Sequence, residues 1–536
     1  MATLSENPII NVVTAASSLN HPIDLSGSTP ADKGIQAVID SSPHGALIYF
    51  PAGVYQLTST IALKFGQRYV GANNSTGPNG TIMKQASGAN LPALFASFEY
   101  LSNSPYTAEA ITIEHMSFDG NSYKNSTRVQ WKDEPHSTSN AYGVNNGIIL
   151  MGYRSTIRQC FVFNVSGCGI IVASMSQNGS GLTNTSVENR IEDCIIEGFG
   201  YYGLLVSGAT GSCTDGYIRD CIVDGDSGSA LYSGSDCIRL NNGAGWFLAG
   251  NHVYGGAENG IQVYQAFATT LLENEVDGYG NGPAFPFTSS PYYYTGIGVT
   301  CNSGVRGTVL TSNVIYCSEN QNVHYQHLCL SADFQSDSPK NENTRIIASN
   351  NIVIGNYQSS RPMDYSVGIV IQNLSSQNVP NHVIVFGNRV DNVGYIYQTY
   401  VNGGILDLAP VQIIGSALAE LDVQSNRHFI AGSTHAPQVS KGSNNNSTFF
   451  KANVNGNDIR GVVTFTSGST SGELLVVTFA VPYSTPPVVL LTLQGATSSS
   501  VSPVWYINTV KTTGFSICST NNSNPGTYTI GYAVIG

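Results

Sequence analysis

Short alternations of apolar and polar residues, broken by glycine or asparagine, run along most of this chain. A period of two over such lengths marks half-buried strands rather than helices. One frame recurs: apolar, two variable positions, Cys or Asn, one variable position, apolar. It reads I-E-H-M-S-F at Ile113, I-R-Q-C-F-V at Ile157, I-E-D-C-I-I at Ile191 and I-R-D-C-I-V at Ile218. It continues as L-A-G-N-H-V at Leu248, L-L-E-N-E-V at Leu271, L-T-S-N-V-I at Leu310, I-A-S-N-N-I at Ile347 and V-F-G-N-R-V at Val385. The central column is Met116, Cys160, Cys194, Cys221, Asn251, Asn274, Asn313, Asn351, Asn388 and Asn426, with spacings from 23 to 44 residues. A helical repeat would hold its length, whereas a solenoid of β-coils lets extra residues leave as loops.

Each frame is followed by a second strand signature, glycine then alternating apolar residues, as at Gly169, Gly203, Gly260, Gly296, Gly368 and Gly404. Two or three short strands per repeat make one coil. Asparagine tolerates the left-handed backbone of a tight bend and can hydrogen-bond between stacked coils. The change from Cys to Asn along the column suggests a drier N-terminal half. About ten marked coils, plus one or two before residue 100, rising at ~4.8 Å each, give a rod of roughly 55 Å.

A solenoid needs covered ends. Residues Thr29 to Asp40, T-P-A-D-K-G-I-Q-A-V-I-D, read as a capping helix with Thr29 as its cap, Pro30 in its first turn and Ile35, Val38 and Ile39 on its apolar face. The strand-like G-A-L-I-Y-F-P-A-G-V-Y-Q-L follows from Gly45. This opening resembles that of the pectate-lyase-like superfamily, which includes phage tailspikes and polysaccharide-cleaving enzymes. The resemblance, spanning about residues 30 to 430, implies a right-handed parallel β-helix and says little about activity.

Beyond about Asn426 the frame fades into a Ser-, Gly- and Asn-rich stretch. From Gly461 valine-rich strands recur every 10 to 15 residues, as expected of a small antiparallel sandwich. Pro482, Tyr483, Pro486, Pro487, Thr513, Gly514 and Phe515 carry a resemblance to the C-terminal domains of phage tail fibres and H-type lectins, which implies trimerisation and sugar binding. The expected fold class is therefore all-β: a right-handed parallel β-helix with an N-terminal capping helix and a small C-terminal antiparallel β-sandwich. The expected organisation is an extension over 1–28, the β-helix over 29–430, a linker over 431–460 and the sandwich over 461–536.

Composition narrows the partners. Only 10% of residues are charged, and 22 basic against 34 acidic residues leave a net charge of −12. That excludes the basic stripe nucleic-acid binding needs. No apolar run approaches membrane-spanning length, so membrane insertion is not expected. The N-terminus lacks a basic start and a long apolar core and does not read as a secretory leader. The expected setting is extracellular or on a virus particle. Ten cysteines contain no C-x-x-C pair and no zinc spacing. Most fall at repeat positions, which leaves buried free thiols and structural disulfides both open. No metal and no cofactor is called for.

A β-helix offers no deep pocket. Its ligands lie along a stacked sheet, where side chains recur about every 4.8 Å, a spacing suited to a linear polysaccharide. Around the second-strand glycines, successive coils carry Tyr202, then Asp236 with Arg239, then Glu258, Asn259 and Gln262, then Tyr294. Asp236 and Glu258 are the candidate catalytic pair, one to protonate a leaving oxygen and one to act as base or nucleophile. Tyr202, Arg239, Asn259, Gln262 and Tyr294 are the candidate substrate-binding residues. The plain alternative is that both acids accept turn hydrogen bonds. A second acidic column, Asp119, Glu197, Asp224, Asp277 and Asp391, sits mostly in D-G or E-G turn pairs, with a calcium or catalytic role as the alternative. Insertions carrying Pro291 to Tyr294 and Trp131 with His136 offer aromatic surface to sugars or to packing. His324 and His327 read as structural.

These features point first to a trimeric, virus-borne spike that recognises a cell-surface polysaccharide and has a candidate site to cleave it. The alternatives are a free polysaccharide-processing hydrolase, lyase or fructan transferase, and a non-enzymatic virion or surface component.

Overall fold

The computed structural model describes residues 8–104, 110–125, 142–179, 186–207, 213–225, 235–266, 268–280, 293–302, 307–319, 324–333, 345–358, 365–373, 381–401, 406–414, 437–448, 450–456, 460–467, 470–480, 486–496, 504–520 and 525–535. It divides into two compact units, one built on residues 1–375 and a second that holds the C-terminal strands. No helix among the described residues is long and apolar enough to cross a membrane.

The first unit is a solenoid of parallel strands, three to a coil. One coil comprises Arg190–Glu192, Ile195–Phe199 and Tyr202–Ser207; the next comprises Tyr217–Arg219, Ile222–Asp224 and Asp236–Asn241. Register holds from coil to coil: Ile191 pairs with Ile218, Ile196 with Val223, and Leu204 with Ile238. Ile113, Ile157, Ile191, Ile218, Leu248, Leu271 and Leu310 all point inward and are buried. In the coil after Asn313 the inward place belongs to Ala348, which pairs with Leu310, while the expected Ile347 pairs with the half-buried Val309.

The bend between the first and second strands explains the Cys/Asn column. The residue before each column position takes the left-handed conformation: Gln159, Asp193, Asp220, Glu273, Ser312 and Asn350 have φ between 50° and 57°. The column residue itself does not, contrary to the expectation from the sequence. Its role is hydrogen bonding. Asn274 Nδ2 donates to the Leu248 carbonyl at 3.0 Å and to Asn313 Oδ1 at 2.9 Å, and its backbone N–H donates to the same oxygen at 3.0 Å. Asn251, Asn313 and Asn351 repeat this pattern. The thiols of Cys160, Cys194 and Cys221 lie 3.6–3.7 Å from the equivalent carbonyls of Ile113, Ile157 and Ile191. Both halves of the column are buried to the same degree, so dryness does not separate them. Nine of the ten cysteines are buried thiols rather than disulfides.

At the N-terminal end Ile9–Asn11 pairs in parallel with Leu47–Phe50, and helix α1, Val12–Ser18, is capped by Asn11 Oδ1. Residues expected as an extension thus contribute a strand and a helix. Helix α2 spans Asp32–Ser41 and buries Ile35, Val38 and Ile39, as its apolar face required. Thr29 and Pro30 instead belong to a strand, Ser26–Pro30, because the Thr29 N–H is held by Asp24. Asp32 ties α2 to the coil beneath by accepting from Thr58 and Ser59.

The second unit contains two four-stranded antiparallel sheets. Val463, Phe465, Leu475, Val477, Phe515, Ile517, Tyr528 and Ile530 form its core. Gln438–Lys441 and Ala452–Gly456, from the stretch expected as linker, are strands of these sheets. Pro482 and Tyr483 lie outside the described residues.

Candidate functional site

The third strand of every coil contributes to one sheet, and a single column on its outer face locates the site. Reading across register, it runs Ala62, Ala96, Ile149, Ile171, Leu205, Arg239, Gln262, Gly298, Cys329 and Val370. Up to Leu205 the column is apolar and covered. Helix α3, Phe98–Ser102, lays Tyr100 over it, and Tyr142, Met151 and Met175 complete the cover. At Arg239 and Gln262 the column turns polar and half-buried, before Gly298, Cys329 and Val370 return it to buried positions.

Arg239 is locked in place. Its Nη1 donates to Asp236 Oδ2 at 2.9 Å and its Nε to Asn241 Oδ1 at 2.9 Å. Its guanidinium lies 5.5 Å from the Tyr202 ring centre and 5.9 Å from that of Tyr264, which holds the cation between two aromatic faces. Asn259 Nδ2 donates to the other Asp236 oxygen at 2.7 Å. Thr295 donates its N–H and hydroxyl to Asn259 Oδ1, and Gln262 Nε2 donates to the Thr295 hydroxyl at 2.9 Å. One polar network therefore links three consecutive coils.

The two candidate acids are not equivalent. Asp236 is fully buried beneath Arg239 with both oxygens engaged. Asp236 is the more deeply buried of the expected catalytic pair and holds the Arg239 guanidinium. Glu258 is half-buried, and its Oε2 accepts from the Ser235 hydroxyl at 2.7 Å. Burial pushes the Glu258 carboxyl above its usual range and the Asp236 charge pushes it further, while Ser235 and Arg239 partly offset both. A carboxyl raised in this way is the kind that general-acid chemistry uses.

Of the candidate binding residues, Tyr202, Arg239, Asn259 and Gln262 come together here. Tyr294 is only 5% exposed, with its ring against Tyr325. Sequence reading missed Tyr264, which is 39% exposed, and Asn241. Both lie two residues beyond positions already singled out, on the same outward parity. Ser331 and Gln372 extend the polar face over further coils through a 3.1 Å hydrogen bond. Trp131, His136 and Pro291 with Tyr292 lie outside the described residues. His327 is buried and bonded to Glu319 at 3.0 Å, as expected of a structural histidine, and His324 stacks on Tyr365.

Two sequence models of protein families match the chain. "Rhamnogalacturonase A/epimerase, pectate lyase-like" matches residues 23–214, and "Right handed beta helix region" matches residues 146–327. The fold is a right-handed parallel β-helix, and over residues 23–214 the sequence is similar to pectate-lyase-like proteins. No curated protein matches it in sequence. Among solved structures, this β-helix protein is similar to the Dettilon tailspike protein gp208 at a TM-score of 0.50 and 12% identity, covering 98% of this chain and 94% of that one. The tailspike gp49 of Pseudomonas phage LKA1 gives a TM-score of 0.45 at 11% identity, covering 94% and 92%. The catalytic unit of a GH87 α-1,3-glucanase from Streptomyces thermodiastaticus gives 0.45 at 13% identity, covering 78% and 70%. At these identities the likeness is one of fold.

Proposed function

We propose that this protein is a trimeric, virus-borne spike whose open sheet binds a linear cell-surface polysaccharide and hydrolyses it at Glu258. The observation that carries this reading is the unequal pair of acids: a raised, half-buried Glu258 beside a fully buried Asp236. Glu258 donates its proton to the glycosidic oxygen as the bond to the anomeric carbon breaks. Water supplies the hydroxyl that replaces the leaving sugar and releases its other proton to solvent, and Glu258 takes up a proton from solvent for the next turnover. Tyr202 and Tyr264 offer faces to sugar rings, and Arg239 offers a fixed cation to hydroxyls or to an acidic sugar. Asp236, Asn241 and Asn259 are positioning residues. The fold-level likeness to a tailspike over nearly the whole chain supports the spike reading. Val488, Leu490, Val504 and Tyr506 stand exposed on the terminal sandwich, as a subunit interface requires.

The full burial of Asp236 favours one other reading, a receptor-binding surface without cleavage. The deciding experiment incubates the protein with a panel of capsular and plant polysaccharides and assays new reducing ends. Product formed by the wild type and lost in Glu258→Gln, with binding retained, supports hydrolysis. Binding without product supports the second reading, and unsaturated ends would indicate a lyase. A monomer by light scattering would overturn the trimeric spike.

A further inference from the structure

A second constellation lies on a different sheet, the one formed by the middle strands of the coils. Its outer face carries the column Phe161, Ile195, Ile222, His252, Glu275, Val314 and Ile352. Between Ser117 and Arg389 at the ends of the column, this apolar series is interrupted at His252 and Glu275. The adjacent outward column places Tyr254 and Asp277 in register on the same two strands, His252–Tyr254 and Glu275–Asp277. An imidazole nitrogen and two carboxylate oxygens, one from each of His252, Glu275 and Asp277, all lie within 4.8 Å of one another.

The histidine is set for a ligand other than a hydrogen bond. Its Nε2 is shielded from solvent yet has no hydrogen-bond partner. It stands 3.6 Å from Asp277 Oδ2, too far for a hydrogen bond. A tetrahedral centre with donors at about 2.0–2.2 Å would hold them roughly 3.3–3.6 Å apart. The ring is held by Tyr254, with ring centres 4.9 Å apart.

We infer that His252, Glu275 and Asp277 form a binding site for a first-row divalent cation of the zinc class. One imidazole with two carboxylates suits such an ion, whereas calcium takes oxygen donors throughout. The side chains of His252 and Asp277 are 42% and 31% exposed, which leaves the remaining coordination positions open to water or to a ligand atom. The site escapes a sequence reading because His252 and the E-V-D segment lie 23 residues apart in the chain, and only the coil register brings them together.

The test is calorimetric titration of zinc sulfate into the untagged full chain, stripped of metal by a chelator and then freed of it, at neutral pH. Binding at one site is expected, weakened about tenfold or more by His252→Ala, Glu275→Gln or Asp277→Asn, and unchanged by Asp391→Asn farther along the acidic column. Glu275→Gln keeps the side-chain shape and carries the test if His252→Ala loses its native circular dichroism. Identical isotherms for the wild type and a folded Glu275→Gln, or calcium binding in place of zinc, would overturn the assignment.

Discussion

The backbone N–H of Cys221 donates to Asn251 Oδ1 at 3.1 Å, where the inner ladder passes from thiols to amides. Below this step each thiol makes weak, long contacts to carbonyls of the preceding coil and of its own, as Cys221 Sγ does to Ile191 at 3.7 Å and Arg219 at 3.3 Å. Above it each amide makes hydrogen bonds of ordinary length and accepts from its neighbour's backbone and side chain. An asparagine in mid-ladder therefore makes several full-strength hydrogen bonds to buried groups, and a cysteine makes only weak thiol ones. Asn274→Ala strands the Leu248 carbonyl, the backbone N–H of Asn251 and part of the Asn251 amide. Each buried group left unsatisfied costs about 1–3 kcal/mol. Cys221→Ala loses only weak thiol contacts and a small volume. The expected order in apparent Tm, at a fixed scan rate, is wild type, then Cys221→Ala, then Asn274→Ala well below both. Equal losses in the two variants would refute the ladder's asymmetry.

The frame that marks this ladder is what made the fold legible from sequence. A Cys or Asn needed once per coil, flanked by inward Ile or Leu, survives loops of any length between coils. The open sheet was only partly legible. Glycines fixed its register, so Tyr202, Arg239, Asn259 and Gln262 were found. Burial is decided by what lies above a residue, and no local pattern distinguishes the buried Asp236 from the half-buried Glu258. Tyr264 was missed because it follows a strand core already explained by Ile261 and Val263. The boundaries of the terminal sandwich were missed because Gln438–Lys441 and Ala452–Gly456 carry few apolar residues to announce them.

The electrostatics of the open sheet give a pH signature. Asp236 raises Glu258 through its charge. Neutralising it in Asp236→Asn removes that contribution, and Glu258 then loses its proton at lower pH. If Glu258 is the acid in hydrolysis, activity falls as pH rises through its pKa, and the variant's alkaline limb moves to lower pH. A rate profile of reducing-end release from the responsive polysaccharide checks this, and a limb that stays in place would separate Glu258 from the limiting proton transfer.

Glycine at 298 shapes the same surface. A Cβ there would lie 2.5 Å from the Gln262 amide, which is the mobile end of a side chain. Gly298→Ala is expected to displace Gln262 and break its bond to Thr295 with little effect on stability. Glycan affinity should fall while apparent Tm stays within about a degree or two of the wild type, since a flexible surface group gives way cheaply. Glycan titration beside thermal unfolding decides it: an unchanged affinity would place Gln262 outside the binding surface.

The buried cluster of Glu319, His327, Ser366 and Tyr279 predicts how the solenoid responds to acid. Burial alone would raise the Glu319 carboxyl, but hydrogen bonds and charge from His327, with donors from Ser366 and the Asn356 N–H at 3.1 Å, bring it below its usual value. A carboxyl whose folded pKa is depressed contributes stability that is fully present above its unfolded pKa, about 4.3. That contribution fades as pH falls from there through the folded value, because the unfolded chain takes up the proton first. Glu319→Gln removes the dependence: the variant should be less stable than the wild type near neutrality, and the gap should narrow as pH drops below about 4.3. The measurement is the difference in apparent Tm between the two proteins at successive pH values from neutrality downward. A gap that is constant with pH would show that the cluster holds the coil by shape and neutral hydrogen bonds, with no part played by the Glu319 charge.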